Sequence, residues 1–216
     1  GLASAVPTRV GQCLMTCPTT AVYDGLPGTT ERITLGKKIR FFGDGYQKSK
    51  VIDDRRYWRI PVMDGEFLIE ESLGVESGVG GGNVIIQAAT KEAGLAAARR
   101  SVELLEGMEE LITPFPGGVA RSGSKVGSRY KGLPASTADA YCPTLRGRVE
   151  SRLHKDAQVA YEVVIDGTSA EVVGEAVAQA TKAAAGDDVL LIGAGNYGGK
   201  LGKHHFHLHP LLSEMD

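Results

Sequence analysis

The sequence has little that would direct it to a membrane, a nucleic acid or the cell exterior. Its 24 Lys and Arg residues are slightly outnumbered by 26 Asp and Glu residues, and no basic face stands out that would fit a phosphate backbone. Apolar runs such as DVLLIGAG (188–195) are shorter than the roughly 20 residues that cross a bilayer, and no signal peptide is recognisable. We therefore expect a soluble, cytoplasmic protein that binds neither nucleic acid nor membrane.

Cysteine is also scarce, with Cys13, Cys17 and Cys142 as the three residues of this type. An odd number without framework spacing is typical of a reducing compartment and argues against a disulfide scaffold. Cys13 and Cys17 stand four apart, but no second close pair completes a zinc set.

The chain opens with GLASAVPTRVGQCLMT, which lacks Met and shows helix-like apolar spacing almost at once. We expect this to be an internal start, so that the chain is a fragment. Its 216 residues can form one large domain or two small ones.

Two segments show the same order of elements. In the first, NVIIQ (83–87) predicts a strand, 92–106 a helix and 107–118 a second strand; in the second, YEVVIDG (161–167), 168–185 and 188–199 repeat that order. Ser169 or Thr168 can cap the second helix. A βαβ unit used twice predicts an α+β protein with a ferredoxin-like, split βαβ sandwich, in which helices cover one face of the sheet.

The remaining segments are less regular. Residues 121–152, between the two units, are polar and rich in turn signals, and we expect an ordered, functional loop there. Upstream, KKIRFFGDGYQ (37–47) and RRYWRIPVMDGEFLIEESLG (55–74) predict strands joined by a turn around 43–54.

Four of the five histidines lie close together near the C-terminus, in KHHFHLHP (203–210). As a strand, this segment would place His205, His207 and His209 on one face, where they either bind a transition metal or form an ordinary solvated surface. We favour the second, because same-face neighbours on a strand lie about 7 Å apart. The preceding GAGNYGG (193–199) does not open a helix, so it lacks the phosphate-binding logic of a Rossmann or P-loop pattern.

Six strings in fixed order resemble the formylmethanofuran–tetrahydromethanopterin formyltransferase family: FFGDGYQ (41–47), PFPGGVARSGSKVGS (114–128), LPASTADAYCPT (133–144), YEVVIDG (161–167), GNYGGKLG (195–202) and HLHPL (207–211). The resemblance runs from about Arg9 to the C-terminus and implies an N-terminally truncated member. Residues 1–64 would then be the remainder of an N-terminal, proximal lobe, and 65–216 a complete C-terminal, distal ferredoxin-like lobe. It further implies a homotetramer without bound metal or prosthetic group.

The reaction implied by the resemblance moves a formyl group between methanofuran and a ring nitrogen of tetrahydromethanopterin, which are both carrier substrates. Such a transfer needs a proton acceptor and donor, hydrogen-bond donors for an oxyanion, and exclusion of water. The family's proposed catalytic carboxylate falls on Glu162, which a strand would place on one face with Val164 and Asp166. We expect desolvation there to raise its pKa.

Other candidate substrate-binding residues are polar side chains of the glycine-rich turns and the long loop: Asn83, Ser124, Lys125, Asp139, Tyr141 and Asn196. For each one, a role in turn formation or capping is an alternative. Lys125, Arg121 and Lys200 are candidates for contacts with acidic parts of the carriers.

Three functions remain open from the sequence. The first is the formyltransferase, and the nearly neutral charge of the chain resembles that of the bacterial homologues, in which the protein is one component of a formyltransferase/hydrolase complex. The second is a non-catalytic scaffold within such a complex. The third is a metal-binding ferredoxin-like module that uses the histidine segment.

Overall fold

The computed structural model describes residues 1–195 and 202–213, in two compact units. By backbone contacts the units comprise Gly1–Ser77 and Gly78–Asp216. The division predicted at 64/65 concerned the lobes of the family, and it stays a prediction. Within the described ranges, no helix has both the length and the apolar composition needed to cross a bilayer.

The first unit contains a four-stranded sheet with the strand order β1-β5-β4-β3 and a separate β2-β6 ribbon. Strand β1 is parallel to β5, whereas the other pairs are antiparallel. The strands are β1 (Ala21–Val22), β2 (Arg32–Thr34), β3 (Lys48–Ile52), β4 (Arg55–Val62), β5 (Gly65–Glu70) and β6 (Ser72–Gly74). The helical segments are α1 (Leu2–Arg9), a π-helical turn (Val10–Leu14), α2 (Gly36–Ile39) and a 3-10 turn (Arg40–Gly43).

Alternation along β4 and β5 builds the core of this unit. Trp58 and Ile60 of β4 and Phe67 and Ile69 of β5 point to the buried side, as expected for a strand with one covered face. The core is completed by Val10, Val22, Leu35 and Ile39.

The prediction of a strand over KKIRFFGDGYQ (37–47) is wrong. The first half of this segment forms α2 and the 3-10 turn, and Asp44 then adopts a left-handed conformation with φ 48° that ends the turn. Phe41 and Phe42 are 69% and 60% exposed, so these aromatic residues do not pack into a sheet. The predicted hairpin lies instead inside the next string, where β4 pairs with β5.

The second unit has the predicted ferredoxin-like topology. Its sheet has the antiparallel order β12-β7-β11-β8, in which the two βαβ units interleave. The strands are β7 (Val79–Ala88), β8 (Leu111–Ile112), β11 (Val159–Gly167) and β12 (Val189–Gly193), and the helices are α3 (Lys91–Glu106) and α4 (Ala170–Ala184).

Both long helices begin at a side-chain cap. Thr90 Oγ1 accepts a hydrogen bond from Ala93 N–H (3.1 Å), and Ser169 Oγ accepts one from Val172 N–H (3.2 Å). The predicted cap at Ser169 is therefore confirmed. One apolar cluster joins both helices to one face of the sheet and includes Val84, Ile86, Val163, Ile165, Val102 and Val177.

The long segment between β8 and β11 is ordered, as predicted. It contains the ribbon of β9 (Ser124–Val126) and β10 (Ala135–Thr137), together with 3-10 turns at Pro116–Gly118, Asp139–Tyr141 and Pro143–Leu145. Backbone hydrogen bonds in both directions join Ala120 to Glu162, with N···O distances of 2.8 and 2.9 Å. The segment is thereby attached to β11.

The prediction of a strand over the histidine segment (203–210) is also wrong. Residues 203–207 are irregular, and α5 (Leu208–Ser213) begins immediately after them. Phe206, Leu208 and Leu211 pack against the helix side of the core. The Cδ2 atom of Leu211 lies 3.4 Å from where a Cβ on Gly174 of α4 would be, so the segment covers a helix and does not extend a sheet.

Candidate active site

A cavity of about 580 Å³ lies in the second unit, bounded by strand β11 and the long ordered segment. Its wall is formed by residues 120–126, 137–142 and 160–162, together with Ile85, Val149, Glu150, Arg152 and Gly195. Such a volume is within the range of small-molecule sites.

Glu162 is the buried carboxylate of this cavity wall. It is 7% exposed, and its neighbours Val163 and Ile165 are 0% exposed. Val163 and Ile165 belong to the helix-side core, so strand alternation places Glu162 on the opposite face, as the sequence predicted. Its cross-strand partner on β7 is Ile85.

The Glu162 carboxylate is held by an amide. Asn83 Nδ2 donates to Glu162 Oε1 at 2.6 Å, and Asn83 Oδ1 accepts the Gly195 backbone N–H at 2.8 Å. Asn83 is 5% exposed and is not among the residues that line the cavity in the described part of the chain. This side chain therefore joins the carboxylate to the backbone just after β12.

The other carboxylate oxygen lies against a glycine. A Cβ atom on Gly123 would lie 2.8 Å from Glu162 Oε2, closer than side-chain atoms normally approach. Gly123 thus leaves the space that the carboxylate fills.

An ion pair joins two parts of the cavity wall. Lys125 Nζ of β9 contacts Asp139 Oδ2 of the second 3-10 turn, and the two side chains are 45% and 26% exposed. The hydrogen bond from Lys125 lowers the pKa of the Asp139 carboxyl. Ser124 and Tyr141, which lie near them in sequence, also line the cavity.

Two buried or partly buried side chains hold the far end of the ordered segment. Gln87 of β7 is 1% exposed; its Nε2 donates to the Arg152 carbonyl at 3.2 Å and its Oε1 accepts from His154 N–H at 2.7 Å. The guanidinium of Arg146 donates to the carbonyls of Lys155 (2.7 Å) and His154 (2.9 Å). The wall at Arg152 is in this way fixed to the sheet.

Comparison with known proteins adds the family. A family model described as formylmethanofuran-tetrahydromethanopterin formyltransferase matches residues 1–62, and one described as FTR, proximal lobe, matches residues 65–211. A formylmethanofuran–tetrahydromethanopterin formyltransferase of Rhodopirellula baltica is 48% identical over 230 residues, covering 99% of this chain and 69% of the relative. This chain belongs to that formyltransferase family.

Solved structures agree with this formyltransferase assignment. The formylmethanofuran:tetrahydromethanopterin formyltransferase from Methanosarcina barkeri superposes with a TM-score of 0.86 at 40% identity, covering 97% of this chain and 72% of that one. The formyltransferase/hydrolase complex from Methylorubrum extorquens, solved with methylofuran, contains a chain with a TM-score of 0.84 at 46% identity, with coverage of 98% and 71%. The matching family model names residues 65–211 the proximal lobe, whereas we predicted that residues 1–64 belong to the proximal lobe.

The formyltransferase structure brings most of the predicted site residues to one place. Glu162, Ser124, Lys125, Asp139 and Tyr141 all line the cavity. Asn83, predicted to bind a carrier, instead contacts Glu162. Asn196 and Lys200 lie outside the described residues. Within the described ranges, no cluster of three or more His, Cys, Asp or Glu side chains could hold a metal ion.

Sequence reasoning missed Gly123, Gln87 and Arg146. Gly123 lies in a string that carries both turn signals and the family resemblance, but nothing local connects it with a glutamate far along the chain. Gln87 carried one signal, because a polar residue in an otherwise apolar strand needs a partner when it is buried.

Proposed function

We propose that this chain transfers a formyl group between formylmethanofuran and a ring nitrogen of tetrahydromethanopterin, with Glu162 as the group that exchanges the proton. Family membership supports the reaction. The observation that carries the role of Glu162 is its buried carboxylate on the wall of the 580 Å³ cavity, held at Oε1 by Asn83.

The chemistry assigns one task to the carboxylate. The ring nitrogen adds to the formamide carbon, a C–N bond forms, and the formyl oxygen becomes a tetrahedral oxyanion. Glu162 accepts the proton that the attacking nitrogen must lose and then donates it to the departing methanofuran amine as the second C–N bond breaks. One carboxylate in a partly desolvated cavity can serve in both directions of transfer.

The cavity wall supplies candidates for binding the carriers. Ser124 and Tyr141 offer hydroxyl groups, while the Lys125–Asp139 pair presents both charges. Asn83 and Asn196 complete the predicted carrier-binding set, although Asn83 touches Glu162. Enclosure by the ordered segment also helps to exclude water, which would otherwise release formate.

We further propose an assembly and a location. The similarity to a chain of a formyltransferase/hydrolase complex supports a role as a subunit of such a complex, and a homotetramer is the alternative arrangement. Residues 1–64 would contribute part of one lobe and residues 65–216 a complete second lobe. A cytoplasmic location fits the carriers and the scarce cysteine.

The test is formyl transfer between the two carriers, followed spectroscopically, in the wild-type protein and the Glu162→Gln variant. We expect kcat to fall about a hundredfold, because the amide cannot accept the proton. Glu103→Gln, an exposed glutamate on α3 in the helix layer, is the matched control and should retain wild-type kcat.

Two results would contradict the proposal. A folded wild-type protein without transfer would leave the scaffold function as the better account. Normal transfer by Glu162→Gln would keep the reaction but remove Glu162 from the proton path.

A further inference from the structure

The orientation of the Asn83 amide is fixed by its second partner. A backbone N–H can only donate, so the atom facing Gly195 N–H at 2.8 Å must be the Asn83 oxygen. The nitrogen then necessarily faces Glu162 Oε1, at 2.6 Å. The donor to the carboxylate is therefore set by the backbone at the end of β12.

A glutamate carboxylate otherwise has a loosely defined orientation, because rotation about its terminal torsion is broad. Two contacts made by described residues restrict this rotation here. The Asn83 amide binds Oε1. Oε2 lies beside Gly123, where a Cβ atom would be only 2.8 Å from it, so the absence of a side chain at Gly123 leaves room for this oxygen. Both contacts are made by residues distant in sequence from Glu162.

We propose that Asn83 and Gly123 are positioning residues for Glu162: Asn83 fixes the carboxylate by a hydrogen bond, and Gly123 provides the space in which it lies. The inference rests on the proposed function. It assigns Asn83 to the proton-transfer machinery, where the sequence suggested a carrier-binding role. Misplacing a proton-transfer group by about 1 Å can cost up to about a hundredfold in rate, so such contacts affect turnover more than binding.

A double-mutant cycle tests the role of Asn83. We expect Asn83→Ala to lower kcat about tenfold or more while KM for each carrier changes less than about twofold. In a Glu162→Gln background the same change should have no further effect on kcat, because its action passes through the carboxylate. A residue that only bound a carrier or stabilised the fold would lower activity in both backgrounds.

Gly123→Ala tests the space beside Oε2 without removing a hydrogen bond. The atom that must move is the far end of a flexible side chain, so we expect an unchanged unfolding temperature but a kcat lowered about tenfold. Gly107→Ala is the matched control, because Gly107 has an ordinary φ of −85° and lies outside the cavity wall. It should keep the wild-type kcat.

Different outcomes separate the two proposals. Suppose that the wild type transfers formyl groups, Glu162→Gln lowers kcat, and Asn83→Ala lowers kcat equally in both backgrounds. This result would overturn the positioning role of Asn83 and leave the proposed function intact. Full activity in Gly123→Ala would overturn the role of the glycine. A wild-type protein without transfer would overturn the proposed function and this inference together. If Asn83→Ala does not fold, Gly123→Ala decides.

Discussion

Both units contain buried carboxylate side chains, but different types of side chain donate hydrogen bonds to them. In the first unit, Asp24 and Glu70 are 8% and 2% exposed and each accepts hydrogen bonds from a guanidinium group, Arg32 for Asp24 and Arg55 for Glu70. In the second unit, Glu162 is 7% exposed and accepts from the neutral amide of Asn83. The depth of burial is similar, but within the described part of the chain the side chains that donate to these carboxylates differ.

We interpret the difference as one between carboxylates that stabilise the fold and the carboxylate proposed to exchange a proton. A guanidinium holds a carboxylate in its ionised form and adds two parallel hydrogen bonds. A neutral amide orients a carboxylate through a hydrogen bond without placing a positive charge beside it. With the proposed role of Glu162, burial alone does not distinguish the proton-exchanging carboxylate from the others. Among the described residues, the type of hydrogen-bond donor is the feature that differs.

The same substitution, glutamate to glutamine, can be made at a buried carboxylate of each unit, and we expect the larger loss of stability from Glu70→Gln in the first unit. Glu70 accepts from Arg55 Nε and Nη2, each at 2.6 Å, and from Asp24 N–H at 2.9 Å. Glutamine has one acceptor oxygen, so Glu70→Gln leaves donors unpaired and should destabilise the first unit by about 2–3 kcal/mol. Amide hydrogen exchange of β4 and β5 measures this loss.

The counterpart is Glu162→Gln, which keeps an acceptor for Asn83 and should change stability by less than about 1 kcal/mol. Its effect falls on turnover. Equal destabilisation by the two substitutions would break the distinction between carboxylates that stabilise the fold and the carboxylate proposed to exchange a proton.

The next effect concerns the pH dependence of stability. Burial opposes ionisation of Asp24, but hydrogen bonds from Gly74 N–H (2.9 Å), from Arg32 and from Leu26 N–H (3.0 Å) outweigh it and lower the pKa from 3.8 to about 2. Since the folded state binds this proton more weakly, the stabilisation is present above about pH 4 and is lost as the pH falls toward 2. Its size is about 2 kcal/mol.

Denaturant unfolding of the wild type and of Asp24→Asn at several pH values isolates this contribution. The wild type should lose more stability than the variant between about pH 4 and pH 2, because the variant has no proton to bind at this position. Parallel curves for the two proteins would show that Asp24 is not held ionised by its partners.

Local patterns predicted much of the second unit, because its elements follow clean periods. The predicted stripe of Leu95, Ala98, Val102 and Leu105 lies on α3, where the last three are buried and Leu95 is half-buried. Alternation also placed Glu162 and Val163 on opposite faces. The same reasoning failed at His205, His207 and His209. A short apolar alternation fits a strand, but Phe206 and Leu211 pack against α4, and the segment is irregular up to His207 and helical from Leu208.

Family resemblance and the chemistry of single residues predicted which side chains form the site, but not the contacts between them. Glu162 and the Lys125–Asp139 wall came from strings with recognisable order. The contacts that organise them join residues far apart in sequence, such as Asn83 with Glu162 and Gly123 with Glu162. Such pairings depend on strand register and loop placement, which no local pattern specifies.

The smallest expected effect sharpens the comparison inside the second unit, where Lys125 and Asp139 form an exposed ion pair of the cavity wall. Lys125→Met removes the hydrogen bond that lowers the Asp139 pKa, so that pKa should rise toward its ordinary value. Because exposed pairs contribute little and are screened by salt, we expect KM for the carriers to rise only about twofold to fivefold at low ionic strength, with kcat unchanged. Steady-state kinetics at low and high salt measure this change, which should shrink as salt is added. A fall in kcat comparable to that of Glu162→Gln would contradict this prediction. It would show that the charged wall formed by Lys125 and Asp139 also acts on the reacting groups.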